Sequence, residues 1–196
     1  MDRCARVAHS AGMSIFDLQI ENRQMRTGVA LTPMKPQDIV VLLGIVARGS
    51  GSWKAKDLAM DLFISQAEVG YSIKRSIASG LLSEDKQVMS EGLLDMLRYG
   101  VRYMFPARPG PLVRGMLTAY SAPPLNRSIR SNEPVVWPDA LGTARGVSIT
   151  PLYPTVPKAA QRNAELYALL ALTDTLRFGR ARERELAWKE LKAGLG

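Results

Sequence analysis

The amino-acid sequence predicts an α+β fold that is mainly α, on the strength of three observations. Apolar residues recur at helical spacing over residues 32–100 and again over 161–196. Ten of the 12 prolines lie between Pro106 and Pro157, which excludes a continuous helix there. Short alternating runs in this proline-rich stretch favour a small antiparallel sheet with long irregular connections. The expected parts are an N-terminal arm (1–31), a helical domain (32–100), a basic segment with short strands (101–160) and C-terminal helices (161–196).

Three helices are expected within residues 32–100. The first extends from Pro36 to Arg48 and ends at Gly49, and its apolar face is formed by Ile39, Leu42, Leu43 and Val46. The second has Ser52 as its cap, and its apolar positions recur at i, i+3, i+4 and i+7, at Ala55, Leu58, Ala59 and Leu62.

The third helix carries the clearest start signal. The Ser65 hydroxyl can accept a hydrogen bond from the amide of Glu68, and the Glu68 carboxylate can reach back to the Ser65 amide. At about 100° per residue, one face is apolar, formed by Val69, Ile73 and Ile77. The opposite face presents Ala67, Tyr71, Lys74 and Arg75. Gly80 ends the helix because it tolerates positive φ, and Leu81 and Leu82 follow as an apolar anchor.

Two short helices joined by a tight turn, the second with a free outward face, are typical of a DNA-reading helix-turn-helix. The segment resembles the winged helix-turn-helix transcription regulators, most nearly the MarR group, over residues 36–82, about a quarter of the chain. The resemblance is carried by Lys56-Asp57-Leu58-Ala59, Leu62-Phe63-Ile64-Ser65, Glu68-Val69, Ser72-Ile73-Lys74-Arg75 and Ala78-Ser79-Gly80-Leu81-Leu82.

The resemblance implies that Ala59 lets the two helices approach, that Ile64 plugs the turn and that the helix 65–79 enters the major groove of double-stranded DNA. A hairpin with a basic tip should follow, but residues 83–88 are short and acidic, so the sequence departs from the family there. Three-helix clusters with such stripes also occur in modules that bind other proteins.

The implied DNA contacts lie on and beside this helix, which begins at Ser65. Gln66 and Ala67 would touch base edges, Tyr71 a base or sugar, and Lys54, Lys56, Lys74 and Arg75 the phosphate backbone. Arg75 could instead read guanine in bidentate fashion. The alternatives are that Lys74 and Arg75 are ordinary solvated charges and that Tyr71 packs against a neighbouring element.

The net charge of +8 and the isoelectric point near 9.9 favour a polyanionic partner. Residues 36–100 hold 7 basic and 8 acidic side chains, whereas residues 101–160 hold 7 basic and 2 acidic ones. Either the central segment folds beside the reading helix and holds phosphates, or it binds an acidic ligand or protein surface. The possible phosphate contacts are Arg102, Arg108, Arg114, Arg127 and Arg130.

The remaining elements are assigned from pattern. Residues 91–99 read as a helix with Leu93, Leu94 and Leu97 on its buried side, and strands are expected at 101–105, 134–137 and 146–149. The stretch 107–133 would be a functional loop or arm, or else a passive linker.

Helical spacing returns near the C-terminus. Asn163 is the expected cap of a helix with Leu166, Leu169, Leu170 and Thr173 on one face, and Gly179 breaks it. Residues 180–192 predict a solvated amphipathic helix with internal ion pairs, whose apolar contacts are Trp188, Leu191 and Leu195. Alternatively, this region forms a phosphate-facing cluster of Arg177, Arg180, Arg182 and Arg184, or packs on a second subunit.

Enzyme classes find little material in the sequence. His9 is the only histidine and Cys4 the only cysteine, so histidine-based triads, thiolate metal clusters and internal disulfides are excluded within one chain. The glycines near Gly49 lack the lysine and hydroxyl of a nucleotide-binding loop. The longest apolar run is nine residues, Ile39 to Ala47, too short to cross a bilayer. We expect a cytoplasmic protein that is not an enzyme, with no catalytic residues, cofactor, metal or membrane association.

The sequence thus predicts a sequence-specific regulator of transcription that binds double-stranded DNA as a homodimer through terminal helices. The alternative is a protein-binding adaptor or antitoxin-like partner, which would hold an acidic surface with the basic 101–160 segment.

Overall fold

The computed structural model describes residues 33–49, 51–131 and 133–195. The fold is mixed α+β and mainly helical, as the sequence predicts. The predicted arm 1–31, with Cys4 and His9, lies outside the described residues. The described α-helices are α1 (Pro36–Val46), α2 (Ala55–Leu62), α3 (Gln66–Ala78), α4 (Ser90–Asp95), α5 (Val101–Met104), α6 (Val156–Arg162), α7 (Ala164–Phe178) and α8 (Ala181–Leu195), and the strands are β1 (Leu112–Leu117), β2 (Val135–Pro138) and β3 (Ala144–Ser148).

Helices α1, α2 and α3 pack against one another around fully buried side chains that include Ile39, Leu58, Leu62 and Val69. Gly44 permits the close approach of α1 to α2, because a Cβ there would lie 3.1 Å from both methyl carbons of Leu62. Gly49 ends the turn after α1 at a φ of +72°.

The predicted cap of α2 is wrong. Lys54 occupies the N-cap position instead of Ser52, and its N–H donates to the Asp57 carboxylate at 3.2 Å. An acid at the third helical position can satisfy the N-cap amide without a capping hydroxyl. The helix therefore starts two residues later than a Ser52 cap would place it.

The predicted strand at 101–105 is also wrong. Helix α4 passes through a single π-helical turn, Met96–Gly100, directly into α5. Leu93, Leu97 and Val101 are all fully buried at a spacing of four residues, so Val101 extends the apolar stripe of the preceding helix. This longer helical stripe outweighs the local alternation of residues 101–105.

The three strands form a closed sheet. The prediction that the sheet is wholly antiparallel is wrong. Strand β1 pairs antiparallel with both β2 and β3, and those two pair in parallel. Strands β2 and β3 confirm the predicted positions, whereas β1 occupies part of the 107–133 stretch expected to be irregular. Gly115 permits the closure, because a Cβ there would lie 2.0 Å from the Trp137 carbonyl oxygen.

Helix α7 is the central element of the C-terminal third. The Asn163 side chain caps it as predicted, with Oδ1 accepting from the N–H groups of Glu165 and Leu166 at 2.9 and 3.0 Å. The predicted face is buried, and α7 packs on α1, α5, α6 and α8. Helix α8 buries Leu191 and Leu195 and half-buries Trp188. Each helix in the described part of the chain is too short or too polar to pass through a bilayer.

Candidate nucleic-acid interface

The turn between α2 and α3 fixes how the two helices meet. Phe63 adopts the left-handed conformation, with φ of +54°, and the side chain of Ile64 is buried directly after it. The Ser65 hydroxyl then accepts from the Glu68 N–H at 3.2 Å, which confirms the predicted start of α3. The Ile64 N–H donates to the Ala59 carbonyl at 3.1 Å, so the turn is held by backbone as well as by packing.

One side of α3 is open. The side chains of Gln66, Ala67 and Lys74 are exposed, and Tyr71 is 55% exposed. The interpretation of Tyr71 as a packed residue therefore does not hold within the described part of the chain. These four residues form the exposed face of α3.

Arg75 does not belong to that face, and its predicted outward orientation is wrong. The residue is only 7% exposed, and its Nε and Nη2 donate to the two carboxylate oxygens of Asp38 at 2.8 and 2.6 Å. The Ser72 hydroxyl also donates to Asp38, which is fully buried. The hydrogen bonds to Asp38 raise the pKa of Arg75, burial opposes that rise, and the charges of Asp38 and Glu68 add to it. Arg75 therefore joins α3 to α1.

The Glu68 carboxylate has a different partner from the one the sequence suggests. It accepts from the Gln37 side-chain amide at 2.8 Å, so the reciprocal bond predicted to the Ser65 amide is replaced by a contact with α1. The Asp38 carboxylate also accepts from the Lys35 N–H at 2.8 Å, at the start of α1. The first turn of α1 thus holds α3 through Gln37, which binds Glu68, and Asp38, which binds Ser72 and Arg75. The exposed face of α3 therefore keeps a fixed direction relative to α1.

A very short hairpin follows α3. Gly80 has a φ of +73°, as predicted, and Leu82 and Val88 form one antiparallel bridge. The Ser83 N–H donates to the Gln87 carbonyl at 2.8 Å, and Lys86 lies at the tip with a φ of +63°. The tip also exposes Glu84 and Asp85. The acidic stretch therefore does fold back on itself, with a mixed rather than a basic tip.

Two cations from a distant part of the chain lie at the turn before α3. Lys158 Nζ and Arg162 Cζ lie 4.1 and 4.4 Å from the centroid of the Phe63 ring, and both residues are exposed. The Thr155 hydroxyl donates to the Leu62 carbonyl at 2.7 Å, which fastens α6 beneath the end of α2. No pattern in the sequence assigns this pair to the site. The only local signal is the i, i+4 spacing of the two cations.

The other predicted phosphate contacts are dispersed. Lys54 and Lys56 are exposed at the start of α2, on the element that precedes the turn. Four of the five arginines are exposed but lie outside α1 and α2, the helices on which α3 chiefly packs: Arg108, Arg114, Arg127 and Arg130. Arg102 is half-buried, with its guanidinium 5.2 Å from the Tyr103 ring centroid.

A second buried acid, Asp174, organises the C-terminal part. Its carboxylate accepts from the Trp137 indole at 2.6 Å, from the Thr118 hydroxyl at 3.0 Å and from Arg177. Burial raises the pKa of Asp174, and the charge and hydrogen bonds of Arg177 and the bonds from Trp137 and Thr118 oppose that rise. Arg177 also donates to the Phe105 carbonyl at 2.7 Å. The alternative that assigned Arg177 to a phosphate-facing cluster is therefore wrong.

The described residues bring no three His, Cys, Asp or Glu side chains together as ligands for a metal ion. Comparisons with protein-family models, with curated proteins and with solved structures find no match to this chain. The resemblance to winged helix-turn-helix regulators consequently stays a prediction carried by the residues quoted for it.

Proposed function

We propose that this protein binds double-stranded DNA in a sequence-specific way and regulates transcription, with α3 as the reading helix of a winged-helix-like domain. The observation that carries the proposal is the division of α3 into two sides. One side is fastened to α1 through Arg75 and Glu68, whereas Gln66, Ala67, Tyr71 and Lys74 are exposed. The major groove of B-form DNA is about 12 Å wide and admits one α-helix.

The charges around the turn support this placement. Lys158 and Arg162 flank the N-terminal end of α3 beside Phe63, and Lys54 and Lys56 lie at the start of α2. Cations at this end can contact phosphates while the first turn of α3 meets base edges, since phosphate contacts set register and base contacts set specificity. We propose that Lys158 and Arg162 replace Arg75 in the backbone contacts.

A homodimer belongs to the same proposal. Two copies of α3 related by a two-fold axis would meet successive major-groove turns about 34 Å apart, and the operator would then be a palindrome of matching spacing.

The alternative function, a protein-binding adaptor, is favoured by one observation in the basic segment. Arg114 on β1 and Arg145 on β3 are direct register partners, and both are exposed. Like charges opposite one another weaken a strand pair, so an acidic surface placed over both guanidiniums would stabilise it.

The deciding experiment is a binding titration of the full chain against a labelled duplex from upstream of its own gene, with a random duplex of equal length, over a series of salt concentrations. We expect a preference for the native duplex and a steep loss of affinity as salt rises. Tyr71→Ala should reduce the difference in affinity between the native and the random duplex. Lys158→Ala should weaken binding to both duplexes and reduce the salt slope by about 1.

Lys189→Ala is the matched control, because Lys189 is an exposed lysine on α8 and its replacement removes the same charge as Lys158→Ala does. Equal weak retention of both duplexes, together with a co-purifying acidic protein whose binding is lost in Arg114→Ala, would establish the adaptor instead. Equal losses in Lys158→Ala and Lys189→Ala would show that only net charge matters and would remove α3 from the interface.

A further inference from the structure

A groove rich in arginine and aromatic side chains lies between the α4–α5 helix and α8. It is an open cleft with a volume of about 350 Å³, and its walls include three cations and three aromatic rings, from Arg98, Arg102, Arg184, Tyr99, Tyr103 and Trp188. None of the residues that line it belongs to α1, α2 or α3, so the groove is separate from the face of α3 proposed to read DNA.

The rings and guanidiniums are interleaved. The Arg98 guanidinium carbon lies 4.5 Å from the Trp188 ring centroid and 5.4 Å from that of Tyr99. The Arg102 guanidinium carbon lies 5.2 Å from the Tyr103 centroid. Flat guanidinium groups stack on aromatic faces and keep their N–H groups at the edges, where they can donate to an anion.

The two tyrosines are unusually open for aromatic residues. Tyr99 is 63% exposed and Tyr103 is 75% exposed. They are four residues apart on one continuous helix, which places them about 6 Å apart along its axis. The π-helical turn Met96–Gly100 contains Arg98 and Tyr99, and such turns are frequent at functional sites.

The electrostatics of the groove favour an anion. Its three arginines face one carboxylate, that of Glu185, which lies 3.8 Å from Arg98 Nη2. Arg184 Nη1 donates to the Gly179 carbonyl at 2.6 Å, which holds the side chain in position. A ligand that has both a flat ring and a phosphate would satisfy the rings and the excess of cations together.

We propose that this groove binds a nucleotide, with the base against the exposed tyrosine rings and the phosphate on Arg102 and Arg184. The same base-and-phosphate chemistry is offered by a free mononucleotide and by one unit of a single strand. Stacking accepts any base because every base has a flat face, so we expect little sequence preference.

The test is isothermal titration calorimetry of the full chain with three probes, namely adenosine monophosphate, inorganic phosphate and an eight-nucleotide single-stranded DNA. We expect the mononucleotide or the single strand to bind, and inorganic phosphate to bind at least tenfold more weakly than whichever does. Saturation by the mononucleotide would identify a free nucleotide as the ligand. Binding of the strand alone would identify single-stranded nucleic acid.

Two variants tie the binding to the groove. Tyr103→Ala and Arg102→Gln should each weaken binding at least tenfold, whereas Lys189→Ala, which removes an exposed charge from α8 outside the lining, should change it less than twofold. Tyr103 is largely exposed, so its replacement should leave the thermal midpoint unchanged and the result interpretable.

Three outcomes would overturn the proposal: no binding of either nucleotide probe at millimolar concentration, phosphate binding as tightly as the nucleotides, or equal binding by Tyr103→Ala and the wild type. If Tyr103→Ala has half the molecular mass of the wild type in solution and binds nucleotide unchanged, the exposed tyrosine rings serve self-association instead. A failure of duplex binding would leave this test unaffected, because the α3 face shares no residue with the groove.

Discussion

Replacing Arg75 with alanine should lower the free energy of unfolding by about 3–5 kcal/mol, because it leaves a buried carboxylate without its counterion. The Arg75 guanidinium supplies two of the donors to Asp38, and Asp38 is fully buried. In the variant, the Ser72 hydroxyl and the Lys35 backbone N–H would remain as partners of that carboxylate, and both of these donor groups are neutral. Small proteins are stable by about 5–15 kcal/mol, so the loss is a large fraction of the total.

Urea unfolding followed by circular dichroism measures the effect directly. With a slope of about 2 kcal/mol per molar urea, the midpoint should fall by roughly 1.5–2.5 M. Lys74→Ala is the matched control, since Lys74 is the adjacent residue, carries the same charge and is exposed. Its unfolding free energy should stay within about 0.5 kcal/mol of the wild type.

A second variant separates the unpaired charge from lost packing. Asp38→Asn in the Arg75→Ala background removes the buried negative charge and keeps an acceptor oxygen in place, so it should recover part of the lost stability. The reasoning is refuted if Arg75→Ala is as stable as Lys74→Ala and instead loses discrimination at one base pair of the duplex. That result would make Arg75 the base contact that the sequence suggested.

Further predictions concern local structure and are all read from unfolding curves. Ser65→Ala removes the capping hydroxyl of α3 and should cost about 0.5–2 kcal/mol. Gly115→Ala places a Cβ against the backbone where the strands close and should lower the free energy of unfolding by about 1–3 kcal/mol or more. Gly70→Ala, on α3, adds a Cβ that meets nothing within 4 Å and should raise the free energy of unfolding by about 0.5–1 kcal/mol. Equal effects of the two substitutions would contradict the clash at Gly115. Trp137→Phe removes a hydrogen bond to the Asp174 carboxylate and should cost about 1.5–3 kcal/mol, and a neutral result would show that this bond is dispensable.

The helix starts and stops that sequence analysis predicted correctly depend on local chemistry. Ser65 and Asn163 carry short oxygen-bearing side chains that satisfy free amides within three residues, and Gly80 adopts the positive φ that its position requires. These contacts involve neighbours in the chain, so the pattern of residues is sufficient to indicate them. The exposed face of α3 was predictable for the same reason, apart from Arg75.

The orientation of Arg75 could not be read from the stripe. Ser72 and Ser76 are fully buried with Val69 on the side of α3 that carries Arg75. Serine is compatible with a buried or an exposed position. Because only apolar residues were used to define the buried face of α3, the predicted face was too narrow and did not include Arg75. What turns Arg75 inward is Asp38, 37 residues away, and no local signal marks that acid as a partner.

The elements that sequence analysis missed depend on distant contacts. Strand β1 acquires its structure by pairing with β2 and β3, and its own sequence, Leu112–Leu117, lacks a clear alternation. Lys158 and Arg162 reach Phe63 because Thr155 binds the Leu62 carbonyl across 93 residues. Contacts at such separations are set by the assembled fold, and periodicity in a single sequence contains no record of them.

Two buried aspartate–arginine pairs stabilise the fold and are not accessible to a ligand. Binding must therefore use the other charged side chains. Arg75 pairs with Asp38 and Arg177 with Asp174, and each pair removes one positive and one negative side chain from the surface. The net charge of +8 is therefore carried entirely by the other ionisable groups. It follows that replacing either buried arginine should change stability first, whereas replacing Lys158 or Arg102 should change binding with the unfolding curve intact. A single comparison of unfolding and binding for these four positions thus tests the partition of charge on which both proposed sites depend.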